Sequence, residues 1–190
     1  KKYMTIIHEE ALRLTQVLDD LLDLSVLEKG QVNLQISKTE IEPLLQRAVF
    51  TVGRGSAISN LTLNVQIPHN FPVVETDAVR LGQVFINLIS NAVKYCEASK
   101  PSLTIKGFQQ HQKLIIDFID NGKGIPEDQQ DLIFEKFSRI GDQNADGSGL
   151  GLAICKEIMR RLGGSISYLP GQGGGAFRVE LALNSEQRIF

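Results

Sequence analysis

The segment 81–95 constrains the fold most, because it is predicted to be a helix that is apolar on most of its circumference. At about 100° per residue, its polar side chains fall within an arc of roughly 120°. These side chains belong to Gln83, Asn87, Asn91, Lys94 and Tyr95. A surface helix would carry a broad charged face, whereas this stripe consists mainly of uncharged amides. Buried amides are costly without partners, so the stripe needs something polar to bind.

Two interpretations of this stripe remain open from the helix alone. Amide oxygens are hard neutral ligands that suit Mg²⁺, a cation that keeps several waters and takes further oxygens from phosphate groups. Lys94, one turn beyond Asn91, suits the phosphate itself. The alternative is a buried pair of amides that bonds to neighbouring backbone.

The rest of the chain mixes strands and helices without regular βαβ alternation. Period-two alternation predicts strands at about 31–37, 61–67, 103–108, 113–119, 165–169 and 176–183. Helices are predicted at about 39–51, 77–98, 127–134 and 150–162. We therefore predict an α+β fold, a two-layer α/β sandwich in which a mixed sheet carries helices on one face. A long coiled-coil-like helix precedes the sandwich, because apolar residues follow a heptad pattern up to Gly30.

Composition excludes several classes of function. The formal charge is −2 and no block of five like charges occurs, so a broad electrostatic grip on nucleic acid or membrane has no support. Cys96 and Cys155 lie far apart in predicted helices, which favours buried thiols over a disulfide or a metal site. No apolar run approaches the roughly 18 residues of a membrane span. We expect a cytoplasmic chain, or the cytoplasmic portion of a membrane sensor.

Two glycine-containing segments could contact a nucleotide. In Asp120–Pro126, the glycines allow close backbone approach, and the aspartate can accept a hydrogen bond from the exocyclic amine of a base. In Gly147–Leu152, a loop turns into a helix whose free N–H groups and dipole suit phosphate oxygens. Each has a plainer alternative, a hairpin turn for the first segment and an ordinary helix start for the second.

Together and in this order, the segments resemble the ATP-binding catalytic domain of sensor histidine kinases. That domain shares a superfamily with DNA gyrase, mismatch-repair ATPases and the large heat-shock chaperone. The polar-striped helix resembles the family's N box, and residues 120–124, 133–137 and 147–152 resemble its first glycine, phenylalanine and second glycine boxes. Residues 19–30 resemble the end of the second helix of the dimerisation and histidine-phosphotransfer hairpin. The resemblance thus implies a truncated hairpin in 1–30 and an ATP-binding catalytic domain in 31–190.

The resemblance also implies the cofactors ATP and Mg²⁺ and a role for each matching residue. Asn87 would hold Mg²⁺, Asn91 is a possible second ligand, and Asp120 would bind the adenine amino group. The implied catalytic residues are Asn87, Lys94 and Arg139, although Arg139 is equally compatible with a solvated loop arginine. Phe134 and Phe137 would pack beneath a mobile lid, residues 138–148. The other implied contacts with the nucleotide are Tyr95, Gly122, Gly124, Ile125, Gly147, Ser148, Gly149, Leu150, Gly151 and Leu152.

Two departures from the family pattern shape the predicted function. The phosphoacceptor motif, a histidine followed by Glu-x-Arg-Thr-Pro, is absent, and His8 is expected to be a surface helical residue. Gln83 stands where the hydrolytic relatives carry a glutamate that activates water, and an amide cannot accept a proton at neutral pH. Rapid ATP hydrolysis is therefore not expected.

The resulting prediction is a catalytic fragment of a sensor histidine kinase. It would transfer the γ-phosphoryl group of ATP to a histidine on a hairpin that is incomplete in this chain, for relay to an aspartate of a response regulator receiver domain. The intact protein is expected to be a homodimer, without nucleic acid and without membrane contact from this fragment. The alternatives are an ATPase-driven conformational machine and a degenerate kinase that only binds partners.

Overall fold

The computed structural model describes residues 2–53, 61–138 and 147–183, apart from the side chains of residues 2 and 9. The described helices are α1 (Lys2–Glu28), α2 (Ile41–Gly53), α3 (Ala78–Tyr95) and α4 (Gly151–Arg161). The described strands are β1 (Ile36–Thr39), β2 (Thr62–Gln66), β3 (Val74–Asp77), β4 (Ser102–Gln110), β5 (Lys113–Asp120), β6 (Ser165–Tyr168) and β7 (Ala176–Ala182). The predicted α+β class is confirmed, including the long helix before the sandwich.

Five strands form one mixed sheet in the order β2-β4-β5-β7-β6. β2 runs parallel to β4, and every other pair in this sheet is antiparallel. The parallel pair is joined through α3, as a crossover connection between parallel strands requires. β1 and β3 form a separate two-stranded antiparallel sheet.

The hydrophobic core lies between one face of the large sheet and the helices. Alternate residues of β4, β5 and β7 point to that side, and they are Leu103, Ile105, Leu114, Ile116, Phe118, Phe177, Val179 and Leu181. The apolar side of α3 packs against them, with the rings of Phe85 and Phe118 5.5 Å apart. Because α3 is buried on this side, its polar stripe must lie on the other.

Asp77 fixes where α3 begins. One carboxylate oxygen accepts hydrogen bonds from the backbone N–H groups of Val79 and Arg80, both at 3.0 Å. The other accepts from the backbone N–H of Gln35 at 2.9 Å. This N-cap satisfies two of the helix's free donors and so sets the register of the stripe that follows.

The opposite face of the large sheet carries no described helix. On it, Arg178 binds both carboxylate oxygens of Asp117 at 2.8 Å, and its guanidinium carbon lies 5.4 Å from the centre of the Phe108 ring. The Asp117 carboxylate raises the pKa of Arg178. Ile115, also on this face, is only 2% exposed. Side chains of the sheet itself therefore cover this surface.

Three predicted elements differ from the structure. Residues 31–35 are not a strand, because pairing with β3 begins only at Ile36; Val32 and Leu34 are half-buried by packing alone. The helix predicted at 127–134 is a 3-10 turn at Glu127–Gln129, followed by further turns closed by bonds three residues apart. α3 ends at Tyr95 instead of about Ala98, since Cys96 leaves the helical conformation.

Within the described part of the chain, the buried apolar residues of helix α1 lie near its carboxyl end. Leu24 and Leu27 are buried, and Arg161 of α4 donates hydrogen bonds to the backbone carbonyls of Leu27 and Glu28 at 2.7 and 3.0 Å. Earlier apolar positions are exposed: Met4, Ile7, Leu14, Leu18 and Leu22. His8 is exposed as well, as predicted. Among the described residues, no helix combines the length and apolar character that a membrane crossing needs.

Candidate functional site

Asn87, at the middle of the α3 stripe, contacts the start of α4. Its amide nitrogen donates to the backbone carbonyl of Gly151 at 3.3 Å and lies 3.5 Å from the sulfur of Cys155. The Asn87 side chain thus bonds to neighbouring backbone through its nitrogen, as the alternative interpretation of the stripe proposed. Its amide oxygen accepts no hydrogen bond from the described residues, so one uncharged oxygen ligand remains available.

The start of α4 offers several free donors beside Asn87. The helix begins after Leu150 without a side-chain cap, so the first N–H groups lack partners within the helix. Together with the helix dipole they favour an anion at this position. A Cβ atom on Gly151 would lie 3.9 Å from the Asn87 side chain, which shows how closely the two helices approach here.

Asp120 lies at the end of β5 and is held by backbone donors. One carboxylate oxygen, Oδ1, accepts from the N–H groups of Gly122 at 2.8 Å and Gly175 at 2.9 Å. Oδ2 accepts no hydrogen bond from any described residue. The carboxylate is thus fixed in orientation and keeps one oxygen for an external donor, such as a base amine.

Gly174 and Gly175 support Asp120, and sequence reasoning missed them. A Cβ atom on Gly174 would overlap the Asp120 carbonyl oxygen, and one on Gly175 would lie 2.5 Å from Asp120 Oδ2. The only signal in the sequence is the run of three glycines at 173–175. Gly174 and Gly175 leave the space that Asp120 occupies, more than fifty positions earlier in the chain.

Gly124 and Ile125 lie against the same support. Gly124 has φ +71°, and a Cβ atom on it would be 3.0 Å from the carbonyl oxygen of Gly174. The backbone N–H of Ile125 donates to the hydroxyl of Tyr168 at 3.0 Å. The Tyr168 ring in turn packs edge-on against Phe177, 5.7 Å away. The first glycine segment is therefore anchored to the β6–β7 hairpin.

Tyr95 lies between the two glycine segments. A Cβ atom added at Gly122 would lie 3.7 Å from the Tyr95 carbonyl oxygen. One added at Gly147 would lie 3.0 Å from the Tyr95 hydroxyl oxygen. Asn87 lies eight residues before Tyr95, about 12 Å along the helix at about 1.5 Å per residue. The stripe thus connects the aspartate end of the site with the α4 end.

The remaining predicted residues are distributed as follows. Asn91 is half-buried and Lys94 is exposed, and neither side chain forms a hydrogen bond or ion pair with a described residue. Phe134 packs against Phe177, with ring centres 6.4 Å apart. Arg139 and most of the predicted lid, residues 139–146, lie outside the described residues.

Phe137 and Gly149 bring the phenylalanine segment against the second glycine segment. Phe137 is 56% exposed and has φ +61°, a conformation that bulky residues rarely adopt. Gly149 has φ +70°, and a Cβ atom on it would be 2.9 Å from the Phe137 backbone. Ser148 and Leu150 complete the segment, with the Leu150 N–H donating to the Ser148 hydroxyl oxygen at 3.2 Å. Leu152 is half-buried in the first turn of α4.

Gln83 has polar partners within the chain. Its amide nitrogen donates to Asp23 of α1 at 2.8 Å, and its oxygen accepts from Arg80 at 3.0 Å. Arg80 also binds Asp23 at 2.8 Å. Asp20, one turn earlier in α1, accepts a hydrogen bond of 2.6 Å from the Ser148 hydroxyl. Sequence reasoning missed both aspartates as neighbours of the site.

A cation at this site would have no acidic or histidine cluster of described residues to hold it. Among the described residues, no group of three or more His, Cys, Asp or Glu side chains is placed to hold a metal. The free oxygen of Asn87 fits a hydrated Mg²⁺ that takes other ligands from phosphate. Cys155 is no competing ligand, because burial raises the pKa of its thiol to about 12. Both described cysteines are free and buried, as predicted.

Comparison with known proteins places this geometry in context. Over 181 residues, the chain is 30% identical to the circadian input-output histidine kinase CikA of Synechococcus elongatus, covering 93% of this chain and 24% of that protein. The crystal structure of full-length ShkA in complex with AMPPNP superposes with a TM-score of 0.80 at 26% identity, covering 96% of this chain and 39% of ShkA.

A further structure shares the fold. It is the histidine kinase ThkA in complex with the response regulator TrrA, with a TM-score of 0.77 at 24% identity, covering 99% of this chain and 52% of that one. The chain therefore spans only part of each of these relatives. Residues 76–186 match the family described as histidine kinase-, DNA gyrase B- and HSP90-like ATPase. This match covers α3, both glycine segments and most of the large sheet, and the chain belongs to this ATPase family.

Proposed function

We propose that this chain is the catalytic part of a sensor histidine kinase, which binds Mg²⁺ and ATP and donates the γ-phosphoryl group to a histidine. The contact between Asn87 and the start of α4 supports this most directly. It places an available amide oxygen beside unpaired helix N–H groups, a combination suited to a cation-bound phosphate. The similarity to sensor kinases over 93% of the chain supports the same function.

Each end of the nucleotide has a matching set of residues in this proposal. Asp120 Oδ2 accepts from the adenine amine, with Gly122, Gly124 and Ile125 shaping that end of the pocket. Asn87 holds Mg²⁺, with Asn91 as a second possible ligand, and Lys94 contacts phosphate. When bound, Mg²⁺ would neutralise phosphate charge and ATP would supply the phosphoryl group. Along the middle, Tyr95 lines the site.

The chemistry proposed is positioning and charge neutralisation, which dominate phosphoryl transfer. Gln83 does not serve as a general base for water, because an amide cannot accept a proton at neutral pH and both of its polar ends are engaged by Asp23 and Arg80. Lys94 and Arg139 would stabilise charge on the transferring group. Slow hydrolysis and transfer to an imidazole supplied elsewhere follow from this arrangement.

The proposed context is a longer protein. We assign residues 1–30 to the second helix of a dimerisation and phosphotransfer hairpin, and 31–190 to the ATP-binding domain. The exposed apolar positions of α1 are consistent with a homodimer in the intact protein. By analogy with ThkA, whose structure contains a response regulator, the phosphoryl group would pass to a receiver-domain aspartate. The chain would act in the cytoplasm, alone or as part of a membrane sensor.

Calorimetric titration with ATP in the presence and absence of Mg²⁺ tests nucleotide binding. The unmodified chain should bind ATP, and Mg²⁺ should strengthen binding. Asn87→Ala should abolish most of that strengthening, since it removes the available oxygen. Asn64→Ala, an exposed amide on edge strand β2, is the control and should behave like the unmodified chain. Absence of binding, or rapid steady ATP turnover, would contradict the proposal.

A transfer assay tests the second half of the proposal. Incubated alone with γ-labelled ATP and Mg²⁺, the chain should acquire no phosphohistidine, because His8 lacks the acceptor context. Adding a separately produced hairpin that carries the histidine in a Glu-x-Arg-Thr-Pro motif should give acid-labile label on that hairpin. Label on the chain itself would show that the acceptor has been assigned wrongly.

A further inference from the structure

Two aspartates on one face of α1 contact both walls of the candidate site. Asp20 and Asp23 are three residues apart and therefore lie on the same side of the helix. Asp23 binds Arg80 and Gln83 of α3, whereas Asp20 binds Ser148 in the segment leading into α4. Helix α1 thus bridges the N-box helix and the second glycine segment.

The Asp20 carboxylate is held firmly at Ser148. Its Oδ2 accepts the Ser148 hydroxyl proton at 2.6 Å, and its Oδ1 accepts from the side-chain amide of Gln16 at 2.8 Å. Ser148 Oγ also accepts from the Leu150 N–H at 3.2 Å. The serine therefore donates its single hydroxyl proton to a carboxylate oxygen of α1, close to the N-terminus of α4.

Further contacts keep α1 in this position. Lys136 pairs with Glu28 at 2.8 Å, and Arg161 donates to the last carbonyls of the helix. Leu24 and Leu27 are buried on the same side. Asp20 is consequently presented to Ser148 by a docked helix instead of by a freely moving one.

We propose that Asp20 occupies the anion position at Ser148 and competes with nucleotide phosphate for it, so that docking of α1 restrains nucleotide binding. This inference rests on the proposed ATP-binding function of the site. A serine hydroxyl has one proton, so it cannot donate to Asp20 and to a phosphate oxygen at once. A phosphate at this position would also face the Asp20 charge at short range, and that repulsion opposes joint occupancy.

Reciprocity gives the proposal a second consequence. If a docked α1 weakens phosphate binding, then bound phosphate weakens the docking of α1 by the same factor. The effect concerns the phosphate end only. Asp120 and its glycine supports lie at the other end of α3 and contact neither aspartate of α1.

The test compares the affinity of ATP and of adenosine for Asp20→Ala and for Asp19→Ala, in the presence of Mg²⁺. Asp19 is the matched control, since it is exposed on the same helix and has no described partner. Asp20→Ala should bind ATP about tenfold more tightly than the unmodified chain, the scale of a lost hydrogen bond to a charged group. Its affinity for adenosine, which has no phosphate, should be unchanged. Asp19→Ala should match the unmodified chain for both ligands.

Each other outcome has a definite meaning. ATP affinity that is the same in Asp20→Ala and the unmodified chain overturns the competition while leaving the proposed function intact. An equal gain for ATP and adenosine overturns it as well, because general loosening would then explain the change. Failure of ATP to bind every variant refutes the proposed function, and the inference falls with it.

Discussion

At the scale of single residues, the site depends on which side-chain oxygens have no hydrogen-bond partner within the described chain. Asn87 commits its nitrogen to the Gly151 carbonyl and keeps its oxygen, while Asp120 commits Oδ1 to two backbone donors and keeps Oδ2. In both cases the partner fixes the side chain and so aims the remaining oxygen. Such prior orientation lowers the entropy that a ligand would lose on binding.

Asp120→Asn tests base recognition at this scale. In the unmodified chain ATP should compete at least about tenfold better than GTP for a fluorescent nucleotide, since guanine presents a carbonyl oxygen where adenine presents its amine. Asparagine can turn its NH₂ group outwards, so the preference should shrink several-fold. Asp128→Asn, an exposed carboxylate in the 3-10 turn, should keep it. Equal competition by ATP and GTP in the unmodified chain would remove the adenine assignment.

Cys155 provides a second prediction for a single residue. Burial raises the pKa of its thiol to about 12, so the reactive thiolate is scarce from pH 7 to 9 and forms only as the pH approaches that value. Iodoacetamide at pH 8 should leave Cys155 unmodified in the folded chain and modify it in guanidinium, as located by peptide mass spectrometry. Rapid modification of the folded chain would show that the thiol is accessible.

At the scale of elements, the β6–β7 hairpin supports the aspartate at the end of β5. The Asp120 backbone N–H donates to the Gly175 carbonyl oxygen, and the Gly175 N–H donates to Asp120 Oδ1. The lack of a side chain at Gly175 leaves room for the carboxylate. The hairpin also carries Tyr168 and Phe177, which anchor the first glycine segment and Phe134. Segments that are distant in sequence thus share one support.

Gly175→Ala should damage stability and nucleotide binding together. The new methyl group would collide with Asp120 Oδ2, and relief of such overpacking typically costs about 1–3 kcal/mol of unfolding free energy. Urea denaturation and ATP titration should both show the loss. Gln172→Ala, exposed in the same hairpin loop, is the control for the loop. Normal ATP affinity in Gly175→Ala would mean that Asp120 does not need this support.

The sequence predicted elements better than their edges and better than their polar contacts. Periodicity placed α3 and β5 within a few residues, because burial of a whole face leaves a repeating signal. At 31–35 the same alternation was misleading, since half-burial of Val32 and Leu34 needs no strand partner. The Ser148 contact with Asp20 spans 128 positions and has no periodic signature. The contacts of Gly174 and Gly175 with Asp120 likewise have no signature in the sequence.

At the scale of the whole molecule, α1 contacts the ATPase domain through the buried Leu24 and Leu27 and through an ion pair beside them. Arg80 and Asp23 are 22% and 25% exposed, and their pair crosses between the two parts of the chain. Because such partly exposed pairs are modest in energy, this pair contributes only a small part of what holds α1 in place.

A double-mutant cycle measures this connection. Asp23→Ala and Arg80→Ala should each speed hydrogen exchange of the amides around Leu24 and Leu27, and the double variant should add little to either. The coupling energy should be about 0.5–1 kcal/mol, the range for partly exposed ion pairs. Exchange over α3 should stay slow, which serves as the internal control for folding. Fully additive effects would contradict a direct contact between the two side chains in solution.

The ion pair between Asp117 and Arg178, on the sheet face without a described helix, restricts which substitutions that face tolerates in evolution. Loss of Arg178 alone leaves the Asp117 carboxylate, whose side chain is 7% exposed, buried without its partner, which typically costs several kcal/mol. Loss of Asp117 alone leaves Arg178, 26% exposed, without its counter-charge. Exchange of both for well-fitted apolar side chains is often neutral for stability. Homologous chains should therefore carry both partners or neither, because every path between the two states crosses an unstable single substitution.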